Sequence, residues 1–346
     1  LVGDSWRAMW LERLQSIPLF QDNWLAHQRR DAYWKHGSVC EDYAAIQCPV
    51  YAVGGWTDGY KNAIPRLLEG LKVPRKGLIG PWAHAYPHFA FPGPQIGFLQ
   101  EILRWWDHWL KGVDTGVMDE PMLRAWMTDS VKPASHHDTL PGRWIAEPSW
   151  PPAGIMPRRL FLTDAGLRDA ASPLTTRAVC SPQTVGKSSG EWVPFGRGRD
   201  QSGDQQDDDM RSLVFDTAPL DEAIEILGAP IITLDVASDR PIANLVVRLC
   251  DVHPTGESLR VSYGVLNLTH RDSHEQPSLL TTGERYRVRV KLNDAGSVFP
   301  AGHKVRLAIS TAYWPMIWPS PETAAVQISA GTLDLPQRSP NAAHAK

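Results

Sequence analysis

The sequence predicts an α/β unit followed by a β-sandwich, most consistent with a jelly roll. Before about residue 130, short apolar runs alternate with helical patterns, whereas beyond it apolar residues recur at every second position. The chain has 346 residues, which is enough for two domains. Five prolines between Pro141 and Pro157 make the stretch after residue 130 typical of a linker.

The α/β unit is predicted from two apolar runs with a helical pattern between them. Residues 49–56 and 75–82 are short, apolar and bounded by proline or glycine, which is typical of buried strands. Residues 60–72 place leucine and isoleucine on one helical face. Strand, helix, strand predicts two parallel neighbouring strands. Other helical patterns occupy residues 4–16, 22–34 and 95–111, the last capped by Gly112.

The sandwich is predicted from period-two patterning. In residues 286–292, apolar side chains alternate with arginine and lysine, as expected for a strand with one buried face. The predicted strands are 158–163, 211–216, 222–227, 230–237, 244–251, 259–268, 286–292 and 304–310. The polar tail after Leu335 is expected to fray.

Composition excludes several function classes. A net charge of −3 gives no reason to expect nucleic acid or an anionic membrane surface as a partner. The sequence contains no run of about 18 apolar residues, so it predicts no transmembrane helix. The four cysteines form no CxxC pair and predict neither a disulfide framework nor a zinc site. We therefore expect no metal and no cofactor.

Two side chains with catalytic potential follow the two predicted parallel strands. Asp58 lies in the loop after the first strand, and His84 lies in the loop after the second. Neighbouring strands are about 4.8 Å apart, so we expect the side chains to approach within about 3.5 Å. A carboxylate on one imidazole nitrogen leaves the other free to act as a base toward a serine hydroxyl. The alternative is a loop aspartate beside a histidine with a structural role.

These loops belong to motifs that resemble a known family. GGWTDGY at residues 54–60, LIGPWAH at 78–84 and FLQEILRWWDHWLKG at 98–112 are similar to the X-Pro dipeptidyl-peptidase-like serine hydrolases, near the cocaine-esterase-like acyl esterases. RSLVFDTAPL, VRLCDVHPTGES and FPAGHKVRLAIS resemble the C-terminal jelly-roll domain of that family, which is galactose-binding-like.

The resemblance implies a domain organisation and a pair of catalytic residues. Residues 1–45 would end a helical cap, residues 46–130 would form the C-terminal part of an α/β-hydrolase domain, and residues 131–346 would form the jelly-roll sandwich. Asp58 and His84 match the acid and histidine of the family's catalytic triad. The family's nucleophilic serine lies on a G-x-S-Y-x-G elbow upstream of the cap, and no segment before Asp58 matches it.

The implied function is hydrolysis of an ester or amide bond by acyl transfer. The expected partners are a small-molecule ester or peptide substrate and a missing N-terminal hydrolase half; a second copy of the chain is another candidate. Without the serine, we expect this chain alone to be inactive. Gly59 and Tyr60 stand where the family's α-amino-acid ester hydrolases carry acidic residues, which favours an acyl esterase over recognition of a free amine. The alternative function is a non-catalytic β-sandwich protein that binds carbohydrate or a protein partner.

Three other patterns are expected to carry no chemistry. Gly186–Gly190 matches G-x-S-x-G, but it follows His84, and we expect a polar sandwich loop far from the hydrolase strands. The acidic run at Asp204 and 207–209 is expected to be a solvated loop, with a calcium site as the alternative. His88 lies four residues from His84, but Pro87 between them disfavours a helical metal site.

Overall fold

The N-terminal part of the molecule is a short run of helices followed by an α/β unit. The computed structural model describes residues 2–339. Its first elements are α1 (Trp6–Ser16), α2 (Phe20–Ala26), α3 (Ala32–His36), β1 (Val50–Gly55), α4 (Ala63–Gly70), β2 (Arg75–Gly80), α5 (Phe98–Lys111), β3 (Leu123–Thr128) and β4 (Gly142–Glu147).

The regular structure in the rest of the described chain is almost entirely β-strand. Its strands are β5 (Ile155–Thr163), β6 (Gly166–Arg168), β7 (Arg177–Val179), β8 (Leu213–Asp216), β9 (Ile224–Gly228), β10 (Ile231–Ser238), β11 (Asn244–Val252), β12 (Ser258–Asn267), β13 (Tyr286–Lys291), β14 (Ala295–Phe299), β15 (Lys304–Ser310) and β16 (Val326–Arg338). One four-residue helix, α6 (Gln206–Asp209), interrupts them. The prediction of an all-β segment without a long helix is confirmed for these residues.

Two sheets form the molecule. Strands β1, β2 and β3 are parallel neighbours, and β4 pairs antiparallel with β3. The single pair Ser297↔Thr128 joins β14 to β3, so this sheet continues into the sandwich. The facing sheet has the order β12-β11-β15-β8 and is antiparallel. The molecule is thus a partial α/β sheet followed by a β-sandwich, as predicted.

Period-two patterning places one face of each sandwich strand in the core. Val288 and Val290 of β13 are 2% exposed, whereas Arg289 between them is exposed to solvent. Leu307 and Ile309 of β15 are fully buried in the same cluster. Burial of such side chains contributes about 1.5–3 kcal/mol each, which is why alternation predicts strands reliably.

Three local predictions are wrong. The predicted helix over 22–34 is two helices, α2 and α3, separated by the non-helical residues 27–31. The proline-rich stretch contains β4, which pairs with β3 in register. The segment after Leu335 does not fray at once: residues 336–338 pair with β5, and buried Arg338 forms an ion pair with Glu147 at 2.7 Å. Residues 340–346 lie outside the described part.

Large apolar side chains are exposed around the α/β unit. The outer face of α5 is between 50% and 74% exposed at Leu99, Leu103, Trp106 and Leu110. The N-terminal helices expose Trp6, Trp10, Leu14, Phe20 and Trp24. Strand β1 is the edge of its sheet within the described residues, whereas β2 has partners on both sides. No helix of the described residues is long and apolar enough to cross a membrane.

Candidate active site

Glycines bring the loops after β1 and β2 together. Gly55 ends β1 opposite Gly80, the last residue of β2. A Cβ on Gly55 would overlap the backbone carbonyl of Trp82, and one on Gly80 would overlap the Trp82 ring. The Trp56 amide donates to the Gly80 carbonyl at 2.9 Å, and the Thr57 amide donates to the Trp82 carbonyl at 3.2 Å. The glycines therefore permit the close approach that places Asp58 beside His84.

The carboxylate of Asp58 contacts the imidazole of His84. The distance from Asp58 Oδ2 to His84 Nδ1 is 3.0 Å. The second oxygen, Oδ1, accepts the Tyr60 amide at 3.0 Å, which fixes the carboxylate. Asp58 is 14% exposed at its side chain, whereas His84 is 44% exposed. The Asp58 carboxylate is thus fixed by the Tyr60 amide, while the imidazole of His84 remains partly exposed to solvent.

A loop of the sandwich supports His84 from the opposite side. The His84 amide donates to the Pro194 carbonyl at 2.8 Å. The Phe195 ring meets the imidazole edge-to-face, with centroids 5.6 Å apart. Both the Phe195 and Gly196 amides donate to Asp200 Oδ2, which holds the loop in place. Residues 194–196, which follow the Gly186–Gly190 segment in the same part of the chain, thus reach the candidate site; the expectation of distance was made for Gly186–Gly190 alone and did not foresee this contact.

An open cleft of about 690 Å³ lies at the free edge of His84. Aromatic residues form much of its wall, and Arg197 lines it as well. The wall includes Trp82, Tyr86, Phe89, Phe98 and Phe195. Its apolar lining and exposed imidazole suit an acyl or aromatic group placed next to a base.

No serine of the described residues hydrogen-bonds to Nε2 of His84. The hydroxyls of Ser5, Ser16 and Ser38 donate to backbone carbonyls within their own helical turns. In the G-x-S-x-G segment, the Ser188 amide donates to Asp208 and the Ser189 hydroxyl donates to the Gly190 carbonyl. That segment is a sandwich loop, as expected, and not a nucleophile elbow.

The acidic run is not solvated throughout. Asp208 and Asp209 are buried, and Asp209 forms an ion pair with Arg248 at 3.0 Å and with Arg306 at 3.1 Å. These carboxylates hold α6 against the sheet, so their role is structural. His88 stacks on Tyr86 with centroids 6.2 Å apart and joins no metal-ligating cluster of the described residues.

Lys61 lies three residues after Asp58 and lines a second cavity, between the α/β unit and the sandwich. Burial and the nearby Arg260 guanidinium lower the pKa of Lys61 to about 8. The sequence gives no sign of this, because residues 61 and 260 become neighbours only when the two parts of the chain pack together.

Comparison with known proteins identifies the family. Residues 115–345 match the model of the X-Pro dipeptidyl-peptidase C-terminal non-catalytic domain, and residues 3–86 match the X-Pro dipeptidyl-peptidase S15 family. The chain belongs to the X-Pro dipeptidyl-peptidase family. It is therefore related to hydrolases of the esterase and peptidase type.

Relatives in this family are named as esterases and peptidases. A Mycobacterium bovis protein named as a serine esterase is 28% identical over 314 residues, which is 81% of this chain and 46% of that protein. The cocaine esterase of a Rhodococcus species is 22% identical, covering 86% of this chain and 54% of the esterase. The chain thus spans about half the length of these relatives.

Solved structures share the fold. An aminopeptidase from a marine sediment Thaumarchaeota archaeon superimposes with a TM-score of 0.73 at 18% identity. The match covers 96% of this chain and 62% of the aminopeptidase.

Proposed function

We propose that this chain supplies the acid and histidine of a serine hydrolase that cleaves ester or amide bonds by acyl transfer. The observation that carries the proposal is the 3.0 Å contact between Asp58 Oδ2 and His84 Nδ1 at the ends of two adjacent parallel strands. A sandwich that only binds carbohydrate or a protein partner has no need of such a pair beside an open cleft. The contact therefore favours catalysis over the binding function.

The geometry assigns a role to each side chain. Asp58 accepts a hydrogen bond from Nδ1–H of His84, and this fixes the imidazole tautomer that leaves Nε2 without a proton and directed at the cleft. Nε2 takes the proton of the attacking serine and returns it to the leaving alcohol or amine. As the imidazolium forms, the fixed carboxylate stabilises its charge. The acyl-enzyme is then hydrolysed by water that the same nitrogen activates.

The serine and the oxyanion donors are proposed to come from a hydrolase half that is not part of these 346 residues. The chain spans about half of its relatives, β1 has an open edge, and the outer face of α5 is apolar and exposed. Helix α5 packs against β1 through Trp105, whose ring centroid lies 5.3 Å from that of Tyr51. The exposed apolar face of α5 is therefore close to the unpaired edge of β1. A nucleophile-bearing half that adds strands beside β1 would cover both surfaces.

For the substrate class, we propose an acyl ester over an X-Pro peptide. Gly59 and Tyr60 follow Asp58, so no carboxylate is present there to hold a substrate ammonium group. The Tyr60 ring instead lies 5.6 Å from the His84 ring and 5.5 Å from that of Trp192. This aromatic surface suits an apolar acyl group.

The proposal is tested by supplying the nucleophile. The chain is co-expressed with the nucleophile-bearing half of a full-length relative, and hydrolysis of p-nitrophenyl acetate and of an X-Pro p-nitroanilide is measured. We expect ester hydrolysis by the pair of halves and none by the chain alone. Asp58→Asn should lower kcat by about 10³–10⁴-fold, because the amide favours the wrong imidazole tautomer.

A matched control separates catalysis from folding. Asp138 makes a similar contact with His136, at 3.1 Å, on an exposed surface. Asp138→Asn should leave kcat unchanged. Equal rates for Asp58→Asn and Asp138→Asn would exclude Asp58 from the mechanism, and preference for the X-Pro substrate would overturn the esterase assignment.

A further inference from the structure

A second cluster of titratable side chains lies in the sandwich. Asp251, His253 and His303 each offer one ligand atom, and these atoms all lie within 4.8 Å of one another. His303 Nδ1 is 2.9 Å from Asp251 Oδ1, and the two imidazole centroids are 4.5 Å apart. None of the three contacts Asp58 or His84, so the hydrolase mechanism does not use them.

The strand register brings the three residues together. Val252 of β11 pairs with Lys304 of β15, so His253 and His303 lie side by side, one residue beyond the paired strand ends. Asp251 and His253 are two residues apart and point to the same face of the strand. The arrangement follows from the sheet and is therefore rigid, as a preorganised site requires.

The cluster contains a buried carboxylate, which a cation would stabilise. Asp251 is fully buried, and its carboxylate contacts the His303 imidazole and the Ser130 hydroxyl. A buried carboxylate is costly unless it is hydrogen-bonded and paired with positive charge, and a divalent cation among these three side chains would supply that charge. We propose that Asp251, His253 and His303 form a binding site for a divalent cation of the zinc type. Two imidazole nitrogens and one carboxylate oxygen are a donor set that zinc prefers.

The site would link the two parts of the molecule. Ser130 and Val131 belong to the segment that leaves β3, and His253 Nε2 lies 3.2 Å from the Ser130 hydroxyl and 3.0 Å from the Val131 carbonyl. An ion pair between Lys132 and Glu257, at 2.7 Å, joins the same two segments, the one after β3 and the turn after β11. A bound cation would therefore fix the segment after β3 against the turn after β11.

Binding is tested on the whole chain after treatment with EDTA. Zn²⁺ alone is titrated by calorimetry, and we expect one ion per chain and a higher melting temperature with the ion. His253→Gln and His303→Gln should each weaken binding by more than about 100-fold, beyond the roughly 10–100-fold typical of a lost outer-shell partner. Zn²⁺ should also slow amide hydrogen exchange in residues 129–132 and 251–257.

Another close histidine pair of the chain provides a control. His270 and His274 have their Nδ1 atoms 3.3 Å apart on the surface. The double variant His270→Gln, His274→Gln should bind Zn²⁺ as the unaltered chain does. Loss of binding in this control, or full binding by a folded His253→Gln, would overturn the proposed site. The hydrogen-exchange measurement uses the unaltered chain, so it tests the proposal even if a variant fails to fold. If Zn²⁺ slows amide exchange in neither segment, the proposal is refuted.

Discussion

At the scale of residues, two adjacent parallel strands hold Asp58 beside His84, and residues 194–195 of the sandwich part contact His84 as well. Two apolar runs separated by a helix predict parallel strands, and parallel strands place the residues that follow them at one edge. The 3.0 Å distance agrees with that expectation. Pro194 and Phe195 contact His84 only because the sandwich folds back over the α/β unit, and no local pattern signals that.

The same limit explains why the proposed cation site was missed. Asp251 and His303 are far apart in sequence, and the antiparallel register of β11 with β15 brings them together. The strands themselves were predicted from alternation, but alternation does not specify which strands pair. Register must be known before two histidines in separate motifs can be assigned to one site.

Gly55 is predicted to be essential to the geometry of the candidate active site. In Gly55→Ala, the new Cβ would overlap the Trp82 carbonyl, which is backbone and cannot rotate away. We expect a loss of about 1–3 kcal/mol in the free energy of unfolding, as for other overpacked positions, together with a displaced His84 loop. Gly154→Ala is the control, because its Cβ would meet no atom within 4 Å. Urea denaturation of both variants checks this, and equal midpoints would contradict it.

Asp294 is predicted to destabilise the protein as pH rises. Burial raises the pKa of Asp294 to about 6, above the value near 3.9 expected for the unfolded chain. Between these values the folded state retains a proton that the unfolded state has lost, so stability falls as pH rises through the window from about 4 to 6. The loss is complete above pH 6 and amounts to at most about 3 kcal/mol.

Asp294→Asn should remove this dependence. The variant and the unaltered chain should melt at similar temperatures near pH 4, and the variant should be the more stable near pH 7. Thermal melts at several pH values measure the difference, with the exposed carboxylate variant Asp138→Asn as a control. Melting curves of Asp294→Asn that shift with pH in parallel with the unaltered chain would show that the Asp294 carboxyl has no such role.

At the scale of elements, amphipathic and alternating patterns predicted α4, α5 and most strands because burial of one face dominates their stability, whereas α1, α2 and α3 bury no side chain within the described residues. The failures occur where another effect decides. Strand β16 contains Pro336 and a polar end, but pairing with β5 and the buried ion pair of Arg338 with Glu147 keep it extended. Residues 27–31 interrupt a helical pattern because Asp31 caps α3, accepting the Tyr33 amide at 3.0 Å.

The outer face of α5 is predicted to contact the proposed hydrolase half. Leu103→Glu combined with Leu110→Glu places charges on side chains that are 54% and 74% exposed. The melting temperature of the chain alone should change little, since exposed positions rarely alter stability by more than about 0.5 kcal/mol. Ester hydrolysis after co-expression with the nucleophile-bearing half should fall sharply.

An exposed apolar pair elsewhere serves as the control for that experiment. Met156 and Met210 are 70% and 76% exposed in the sandwich part. Changing both to glutamate should leave ester hydrolysis intact. If both double variants lose activity to the same degree, the α5 face has no special role in assembly.

At the scale of the whole molecule, the sequence predicted two kinds of structure but not their continuity. One residue pair between β3 and β14 joins the parallel strands to the sandwich, so the two parts share a sheet. The apolar surface of α1, α2 and α5, together with the edge of β1, follows from the proposal that half of the hydrolase sheet is supplied separately. We therefore expect this surface to be covered by a partner, as exposed apolar patches of this kind often are.

The most direct measurement of the central claim is to locate the serine that works with His84. A fluorophosphonate probe is added to the chain alone and to the chain co-expressed with the nucleophile-bearing half, and the labelled residue is identified by mass spectrometry. We predict no labelling of the chain alone, and labelling of one serine in the supplied half that is lost in His84→Ala. Stoichiometric labelling of a serine within residues 1–346, abolished by His84→Ala, would contradict the account.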